Sequence, residues 1–203
     1  MKIMEDSQKR HEIKFVINEN QRLNFIKKNN LKNLFPDRYV ESIYYDTKDL
    51  LFFNLSEEGI TPRKKVRVRG YNKGNLDNLE IKTTQNHYRE KIIIKNFKID
   101  NYELHKNLKK IGINKILEPK LRVKYLRSYF QIKGVGRITL DRYIEFFPPN
   151  LNFHNSKKIS TIILEVKTSS SQIDKNSIEK IINFREIRFS KYCTGINLLF
   201  KSN

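Results

Sequence analysis

Three short copies of one pattern recur along the chain, each a glutamate and a lysine separated by one aliphatic residue. They are Glu12-Ile13-Lys14, Glu80-Ile81-Lys82 and Glu165-Val166-Lys167. Two more segments alternate in the same way, Lys65-Val66-Arg67-Val68-Arg69 and Arg137-Ile138-Thr139-Leu140-Asp141. Side chains on a strand point to alternate faces, so each segment places its charges on one face and its aliphatic residues on the other. Lysines and arginines gathered in this way bind phosphate oxygens, and carboxylates among them bind a divalent cation such as Mg²⁺ or Mn²⁺.

Grouping the strand-like segments by this alternation places far more cations than carboxylates on the charged faces. The cations are Arg10, Lys14, Lys65, Arg67, Arg69, Lys82, Arg89, Lys91, Arg127, Arg137 and Lys167. The carboxylates are Glu12, Glu80, Asp141 and Glu165. Arg127 is the least direct assignment, because the same alternation also places Leu121, Val123 and Tyr125 on its face.

Two interpretations of these charged faces are open. An antiparallel sheet commonly turns one polar side to solvent, and the charges would then lie on that side. Alternatively, about eight strands curl around an interior that the charged side chains line. The opposite faces are almost purely aliphatic and the predicted helices are amphipathic, which favours helices outside and charges inside. Unpaired buried charge costs several kcal/mol per ion, so such an interior needs a polyanion, water or both.

The elements that position these residues are predicted from the hydrophobic pattern and from capping residues. Strands are expected over 9–17, 40–46, 62–71, 76–84, 89–95, 120–132, 136–145 and 160–168. Helices are expected over 18–30, 48–58, 102–111, 178–183 and 192–201. In the first helix, Asn18 is the predicted N-cap, and Leu23 and Ile26 are predicted to face the core. Gly59 and Gly112 are expected to end the second and third helices.

Size and composition predict one globular domain. The chain has 203 residues, of which 38% are hydrophobic, and we expect a single domain over 1–203. Its single cysteine, Cys193, excludes an internal disulfide and a cysteine-based zinc site. No apolar run approaches the roughly 20 residues that cross a bilayer, and the N-terminus lacks the apolar core of a signal peptide. We therefore expect a cytoplasmic, soluble protein, which a membrane-protein partner could still tether.

The charge balance narrows the classes of partner. The formal net charge is +19, from 41 Lys and Arg against 22 Asp and Glu. Such an excess predicts nucleic acid, polyphosphate, a nucleotide or a membrane surface. Nucleic acid ranks lower, because most aromatic residues lie among apolar ones rather than in exposed stacking positions. The Gly-x4-Gly-Lys-Ser/Thr run of a P-loop is absent, and the four histidines show no metal-ligand spacing.

Eight segments, taken in order, resemble those of a known superfamily. They are Arg10-His11-Glu12-Ile13-Lys14, Ser42-Ile43-Tyr44-Tyr45-Asp46-Thr47, Lys65-Val66-Arg67-Val68-Arg69, Leu79-Glu80-Ile81-Lys82, Tyr125-Leu126-Arg127, Arg137-Ile138-Thr139-Leu140-Asp141, Ile163-Leu164-Glu165-Val166-Lys167 and Phe189-Ser190-Lys191-Tyr192-Cys193-Thr194-Gly195. Each is weakly specific by itself, but the ordered set covers nearly the whole chain. The chain resembles the triphosphate tunnel metalloenzymes, also called the CYTH-like superfamily, and more closely the polyphosphate polymerase domain of the vacuolar transporter chaperone (VTC) family.

This resemblance implies a fold and a reaction. The fold would be α+β, an antiparallel eight-stranded β-barrel that forms a cationic tunnel with helices packed on the outside. The reaction would transfer the terminal phosphoryl group of ATP to a growing polyphosphate chain, with Mn²⁺ or Mg²⁺ as cofactor. The product would leave along the tunnel.

The resemblance also assigns roles to individual residues. The cations that would hold the phosphates during catalysis are Lys14, Arg67, Arg69, Lys82, Arg127, Arg137 and Lys191. Further candidates for phosphate binding are Lys91, Lys167, Arg89 and Arg10. Glu165 and Glu12 are the candidate metal ligands. For Glu80, a metal ligand and an ion-pair partner of its neighbouring cations are about equally good interpretations.

One departure from the superfamily pattern bears on the reaction. Hydrolytic members open with Glu-x-Glu-x-Lys, whereas Arg10 stands here in place of the first Glu. Losing that carboxylate removes a metal ligand and a water activator, which favours a polymerase over a triphosphatase. A triphosphatase that acts on inorganic tripolyphosphate or a nucleoside triphosphate is the enzymatic alternative. A non-catalytic module that binds polyphosphate or nucleic acid is the second alternative, and the sequence does not predict an oligomeric state.

Overall fold

One antiparallel sheet organises the described part of the chain. The computed structural model describes residues 3–6, 11–85, 88–149, 155–168, 178 and 181–201. The strands are β1 (Ile3–Asp6), β2 (His11–Ile17), β3 (Phe35–Asp46), β4 (Arg63–Tyr71), β5 (Asn78–Gln85), β6 (Tyr88–Ile94), β7 (Glu118–Ile132), β8 (Gly136–Phe147), β9 (Lys157–Ile159) and β10 (Ile162–Thr168). The helices are α1 (Glu19–Lys28), α2 (Leu51–Glu58), α3 (Asn101–Lys110) and α4 (Lys191–Ile196), and the last continues as a wider π-helical turn over Asn197–Lys201.

The strand order confirms the predicted α+β fold. Along the sheet the order is β1-β6-β5-β4-β3-β7-β8-β10-β2, and β9 adds to β8. Every neighbouring pair is antiparallel. The eight strands expected from the sequence are all present, and the short strands β1 and β9 are additions that the pattern did not predict. Of the predicted helix over 178–183, residues 178 and 181–183 are described: Ile178 and Ile181 are helical, and the Ile182 N–H donates to the Ile178 carbonyl at 2.7 Å.

The sheet is strongly curled, and its charged faces lie on the concave side. β5 and β2 are six positions apart in the strand order, which is roughly 29 Å across a flat sheet. The side chains of Lys82 on β5 and Glu12 on β2 nevertheless interact electrostatically. Such an interaction requires the two ends of the sheet to turn towards each other. We call this concave, charged side the interior.

The convex side carries the aliphatic faces, as predicted, and helices cover it. Phe15 of β2 and Leu140 of β8 pack with Phe25 of α1 in one apolar cluster. Val66 of β4 packs with Leu104 of α3 and its neighbours in another. Burial of these apolar side chains provides the main driving force for closing the sheet.

Helix α1 is capped as predicted, but its buried face differs from the prediction. The Asn18 side chain accepts a hydrogen bond from the Gln21 backbone N–H at 2.9 Å, and the Gln21 side chain accepts one from the Asn18 backbone N–H at 2.8 Å, which together form a capping box. The prediction that Leu23 faces the core was wrong, because that side chain is 51% exposed. The buried stripe follows positions 22, 25, 26 and 29, so Phe25 and Ile26 contact the sheet.

Asp46, at the end of β3, joins three elements. Its fully buried carboxylate accepts hydrogen bonds from the backbone N–H groups of Phe52 and Phe53, both at 2.9 Å, at the start of α2. It also accepts one from the Tyr192 hydroxyl of α4 at 2.6 Å. The carboxylate thereby satisfies free N–H groups at the start of one helix and fixes a second helix to the same strand.

Helix α4 covers one end of the interior. A Cβ added at Gly195 would lie 2.5 Å from a methyl carbon of Leu121 and 2.6 Å from Phe146, so only glycine permits this close approach. One face of β7 carries Leu121, Val123, Tyr125 and Arg127. This settles the direction in which Arg127 points, which the sequence left open. That face is the interior, apolar at the α4 end and charged beyond it.

No helix in the described part of the chain is long and apolar enough to span a membrane.

Asp46→Ala is expected to lower the free energy of unfolding by roughly 2–4 kcal/mol, because it leaves buried N–H and O–H donors without an acceptor. Urea denaturation measures the change. The control is Asp49→Ala at an exposed neighbouring position, which should cost less than about 0.5 kcal/mol. Similar losses for the two variants would contradict the linking role of Asp46.

Candidate functional site

The first charge cluster of the interior surrounds Glu80. Arg67, its cross-strand partner, donates from Nε at 2.7 Å and from a terminal nitrogen at 2.5 Å to Glu80 Oε2. Lys91 donates to Oε1 at 2.8 Å, and Arg69 lies 3.7 Å from Oε2. Burial acts to raise the pKa of Glu80, but the three cations hold it well below its ordinary value. The arrangement makes Glu80 an ion-pair partner with both oxygens engaged.

The second cluster surrounds Asp141, which is fully buried. Arg127 donates to its two oxygens at 2.5 and 2.7 Å, a bidentate pair across β7 and β8. Lys191, from the start of α4, donates to the same carboxylate. Its ammonium also lies 4.6 Å from the centre of the Tyr125 ring. Burial acts to raise the pKa of Asp141, but the two cations lower it to about 2.

The third cluster joins the two candidate metal ligands. In the register of β10 and β2, Glu165 lies opposite Lys14 and Lys167 opposite Glu12, so charges of opposite sign alternate. Lys14 Nζ lies 2.9 Å from Glu12, and Lys167 Nζ lies 2.7 Å from Glu165. Burial and the neighbouring Glu165 act to raise the pKa of Glu12, but lysines around it lower it to about 2. The pKa of Glu165 is likewise held well below its ordinary value, because the neighbouring cations outweigh burial, so both carboxylates are ionised at neutral pH.

Three hydroxyl groups hold the arginines and were not assigned a role from the sequence. Arg69 donates to Ser42 Oγ at 3.0 Å and to the Tyr125 hydroxyl at 3.1 Å. Arg67 donates to the Tyr44 hydroxyl at 3.0 Å. The three hydroxyl residues occupy the alternate positions of β3 and β7 that face the interior. This alternation is the sequence signal from which they could have been predicted. Their partners depend on strand register, which the sequence pattern does not give.

The C-terminal segment crosses the interior at the end that α4 covers. Lys14 of β2 donates to the Phe189 carbonyl at 3.1 Å, and Lys65 of β4 donates to Ser190 Oγ at 2.9 Å. With Lys191 bound to Asp141 on β8, three consecutive residues contact three separate strands. The opposite end, where β3 begins and β4 and β7 end, is the end that we call the mouth.

The remaining predicted cations lie at the edges of the site. Arg137 is exposed towards the mouth, opposite Lys167 in the strand register. Arg89 is exposed on β6 and interacts electrostatically with Lys14 across the curl of the sheet. Arg10 lies outside the described residues. The interior thus brings together Lys14, Arg67, Arg69, Lys82, Lys91, Arg127, Lys167, Lys191, Glu12 and Glu165, and it leaves Arg137 and Arg89 at its rims.

Comparison with known protein families matches the VTC domain over residues 9–200. The chain belongs to the VTC domain family. The family and the triphosphate-tunnel fold that the ordered segments predicted are confirmed. No curated protein matches the chain.

Solved structures share the fold of this VTC domain at low sequence identity. A proposed adenylate cyclase from Vibrio parahaemolyticus is 18% identical, with a TM-score of 0.53, 93% of this chain covered and 99% of the other. A proposed adenylyl cyclase from Hippeastrum with a dominant triphosphatase activity is 12% identical, with a TM-score of 0.54 and coverages of 91% and 94%. A conserved hypothetical protein from Pyrococcus furiosus is 14% identical, with a TM-score of 0.53 and coverages of 91% and 99%. At these identities the likeness shows the fold alone.

The carboxylates of this VTC domain fit a divalent metal. Glu165 is only 5% exposed, and its Oε1 makes no directed hydrogen bond, although Lys167 lies 2.7 Å away. Ionised carboxylate oxygens are ligands that Mg²⁺ and Mn²⁺ accept. Across the described ranges no group of three or more His, Cys, Asp or Glu could hold a metal ion. Glu165 and Glu12 would therefore supply part of the coordination and leave the rest to phosphate oxygens and water.

Lys82 differs from the other interior cations. Within the described residues its ammonium makes no hydrogen bond or ion pair. Burial lowers the pKa of Lys82 to about 7. The nearby Glu12 carboxylate acts to raise this pKa, and the Arg67 guanidinium acts to lower it further. Lys82 is therefore a buried amine that is partly charged at neutral pH and has no ion-pair partner among the described residues.

Lys82→Met is expected to raise the free energy of unfolding more at pH 6.5 than at pH 9.5. In the folded protein the ammonium is charged below its pKa of about 7, whereas in the unfolded chain the side chain has the ordinary lysine pKa of 10.5. Its burial therefore destabilises the folded state fully below about pH 7 and less and less as the pH rises towards 10.5. Urea denaturation at both pH values measures this, with Lys48→Met at an exposed position as control. An equal gain at the two pH values would refute it.

Proposed function

We propose that this VTC domain binds ATP through its triphosphate and transfers the terminal phosphoryl group to a polyphosphate chain. The observation that supports this most is the imbalance of charge in the interior. The described cations of the interior and its rims include Lys14, Lys65, Arg67, Arg69, Lys82, Arg89, Lys91, Arg127, Arg137, Lys167 and Lys191. The carboxylates beside them in the described part of the chain are Glu12, Glu80, Asp141 and Glu165, and each is already paired. A substrate with several negative charges would neutralise the excess.

The arginines are suited to phosphoryl transfer because they are fixed before substrate arrives. Arg67 and Arg127 are each held by a carboxylate, and Arg69 is held by two hydroxyl groups. Phosphoryl transfer depends mainly on positioning and on neutralising charge on the phosphate oxygens. Guanidinium groups with fixed orientation meet that requirement without reorganising during the reaction.

Glu165 and Glu12 would hold the divalent metal. A bound Mg²⁺ or Mn²⁺ would supply further neutralisation of negative charge on the phosphate oxygens. The chain contributes the condition for that binding, because the surrounding lysines keep the pKa of Glu12 at about 2 and that of Glu165 well below its ordinary value.

A phosphate acceptor fits this interior better than water does. The interior carboxylates Glu12, Glu80, Asp141 and Glu165 all have lowered pKa values, which makes them weak general bases for activating water. An oxygen of a polyphosphate terminus is already anionic and needs no base. It would attack the terminal phosphorus of ATP, form the new P–O bond and displace ADP as the bond to its bridging oxygen breaks.

A triphosphatase is the second candidate, and the covered end of the interior favours it. Residues 189–191 and α4 lie across that end, so a long product would leave by the mouth rather than along a tunnel open at both ends. Incubation with ATP and Mn²⁺, resolved on a gel that separates polyphosphate by length, discriminates the two. A ladder of chains with ADP supports the polymerase, and orthophosphate without chains supports the triphosphatase. Intact ATP would overturn both.

Arg69→Ala is expected to lower turnover by between about tenfold and a thousandfold, because it removes one fixed guanidinium from the phosphate site. Steady-state release of ADP or orthophosphate measures the loss. The variant should still fold, because the hydrogen bonds from Arg67 and Lys91 to Glu80 remain. Arg122→Ala, which removes an arginine paired with Glu41 on the convex side, is the control and should retain wild-type turnover. Equal turnover in the two variants would exclude Arg69 from the site.

Glu165→Gln is expected to weaken Mn²⁺ binding by about tenfold or more, since an amide replaces an ionised ligand oxygen. The electron paramagnetic resonance signal of free Mn²⁺, followed as protein is added, measures the affinity. The control is Glu145→Gln. The Glu145 carboxylate lies away from the interior and accepts a hydrogen bond from the Ser156 hydroxyl at 3.0 Å. Unchanged Mn²⁺ binding in Glu165→Gln would argue against this metal site.

A further inference from the structure

Two strands carry the same short pattern, an arginine and a tyrosine separated by one small residue. They are Arg69-Gly70-Tyr71 on β4 and Arg127-Ser128-Tyr129 on β7. Both strands pair with β3, one on each side. Because alternate residues share a face, each tyrosine lies on the same face as its arginine, about 7 Å further along the strand. Both tyrosines therefore lie at the mouth, and both arginines lie deeper in the interior.

A phenylalanine and an arginine of β3 lie beside one of these tyrosines, Tyr129, and Tyr71 interacts electrostatically with the same tyrosine. Phe35 meets Tyr129 edge to face, with ring centroids 6.0 Å apart. The guanidinium of Arg38 lies 5.5 Å from the centroid of each of these rings. Arg38 is also opposite Arg127 in the strand register. We call Phe35, Arg38, Tyr71 and Tyr129 the mouth cluster.

The mouth cluster exposes aromatic surface beside a strongly cationic interior. Phe35 is 49% exposed and Tyr71 is 37% exposed, while Tyr129 and Arg38 are half-buried. Arg38 has its ring contacts but no ion pair with any carboxylate of the described residues. Exposed rings and an unpaired guanidinium at the entrance to a phosphate site are suited to a flat, electron-rich ligand group.

The backbone around the mouth cluster is fixed by close contacts. A Cβ added at Gly70 would lie 2.6 Å from the Asn75 carbonyl oxygen, so the chain folds back tightly against β4 just before Tyr71. The Asn72 N–H donates to the Tyr39 carbonyl at 2.8 Å, which ties the end of β4 to β3. The aromatic surface is therefore preformed, and little conformational freedom would be lost when a ligand binds.

We propose that the mouth cluster binds the nucleobase of a nucleoside triphosphate whose phosphates lie against Arg69 and Arg127; this rests on the proposed function. The step of about 7 Å from each arginine to its tyrosine is comparable to the ribose that separates a base from its phosphates. Aromatic rings and guanidinium planes stack on any base, because every base has a π-face. The site therefore distinguishes nucleotides from inorganic phosphate chains and is tolerant of which base is present.

The test is equilibrium binding of ATP, GTP and inorganic tripolyphosphate by calorimetry, with EDTA present to prevent turnover. The Tyr71→Ala/Tyr129→Ala variant is expected to bind ATP and GTP about tenfold more weakly or worse, because stacking surface is lost. Its affinity for tripolyphosphate should stay within about twofold of wild type. The Tyr71→Phe/Tyr129→Phe variant keeps the rings and should bind all three as wild type does. Tyr102→Ala on α3, a tyrosine that is 72% exposed on a helix of the convex side, is the matched control.

The outcomes separate this site from the reaction. Unchanged ATP affinity in the double alanine variant, or an equal loss for ATP and tripolyphosphate, would overturn the nucleobase site and leave the proposed function standing. A wild-type protein that binds none of the three ligands would overturn both. Selective loss of nucleotide binding in a protein that forms neither polyphosphate nor orthophosphate would support the nucleobase site and overturn the proposed reaction. If the double variant fails to fold, Tyr71→Ala alone provides the same comparison.

Discussion

The repulsion between lysines and arginines gathered on the concave side of one sheet is the constraint on which the rest of the structure depends. Like charges enclosed together oppose the curl, and unpaired charge is costly away from water. The four interior carboxylates reduce that cost by position: Glu80 and Asp141 each lie among two or more cations. Apolar packing of α1 and α3 on the convex side drives the curl against what repulsion remains.

The devices that hold the fold also hold the site. Asp46 fixes Tyr192 of α4, and the start of the same helix places Lys191 against Asp141, which in turn orients Arg127. A single path of buried hydrogen bonds thus runs from the end of β3 to an arginine of the interior. Its polar groups are each paired with a partner, which is the condition for keeping them buried. Stability and the orientation of the cations are consequently linked.

The interior has two different ends. At one end, Leu121 and Phe146 pack on Gly195. The segment before α4 contacts β2 and β4 there, two strands that are far apart in the strand order. At the other, exposed rings of Phe35 and Tyr71 surround the entrance. The asymmetry follows from strand direction, since the same faces that are apolar where β7 begins become charged and then aromatic where it ends. A ligand with one flat end and one highly charged end matches that gradient.

Alternation along the strands was enough to predict from sequence the eight strands, and which residues share a charged face and which an aliphatic face, because the period of a strand is a local property of the backbone. Which of the two faces is concave was left open by alternation, because it depends on the curl of the whole sheet. The prediction that Leu23 faces the core was wrong, because α1 buries Phe25 against the sheet instead. The rotation of a helix about its own axis is decided by packing against the sheet. Which cation meets which carboxylate was also beyond the sequence. Strand register and the return of the C-terminal segment decide these pairs, which are Glu80 with Arg67, Asp141 with Lys191, and Ser42 with Arg69. Both conditions exist only once distant parts of the chain are in contact.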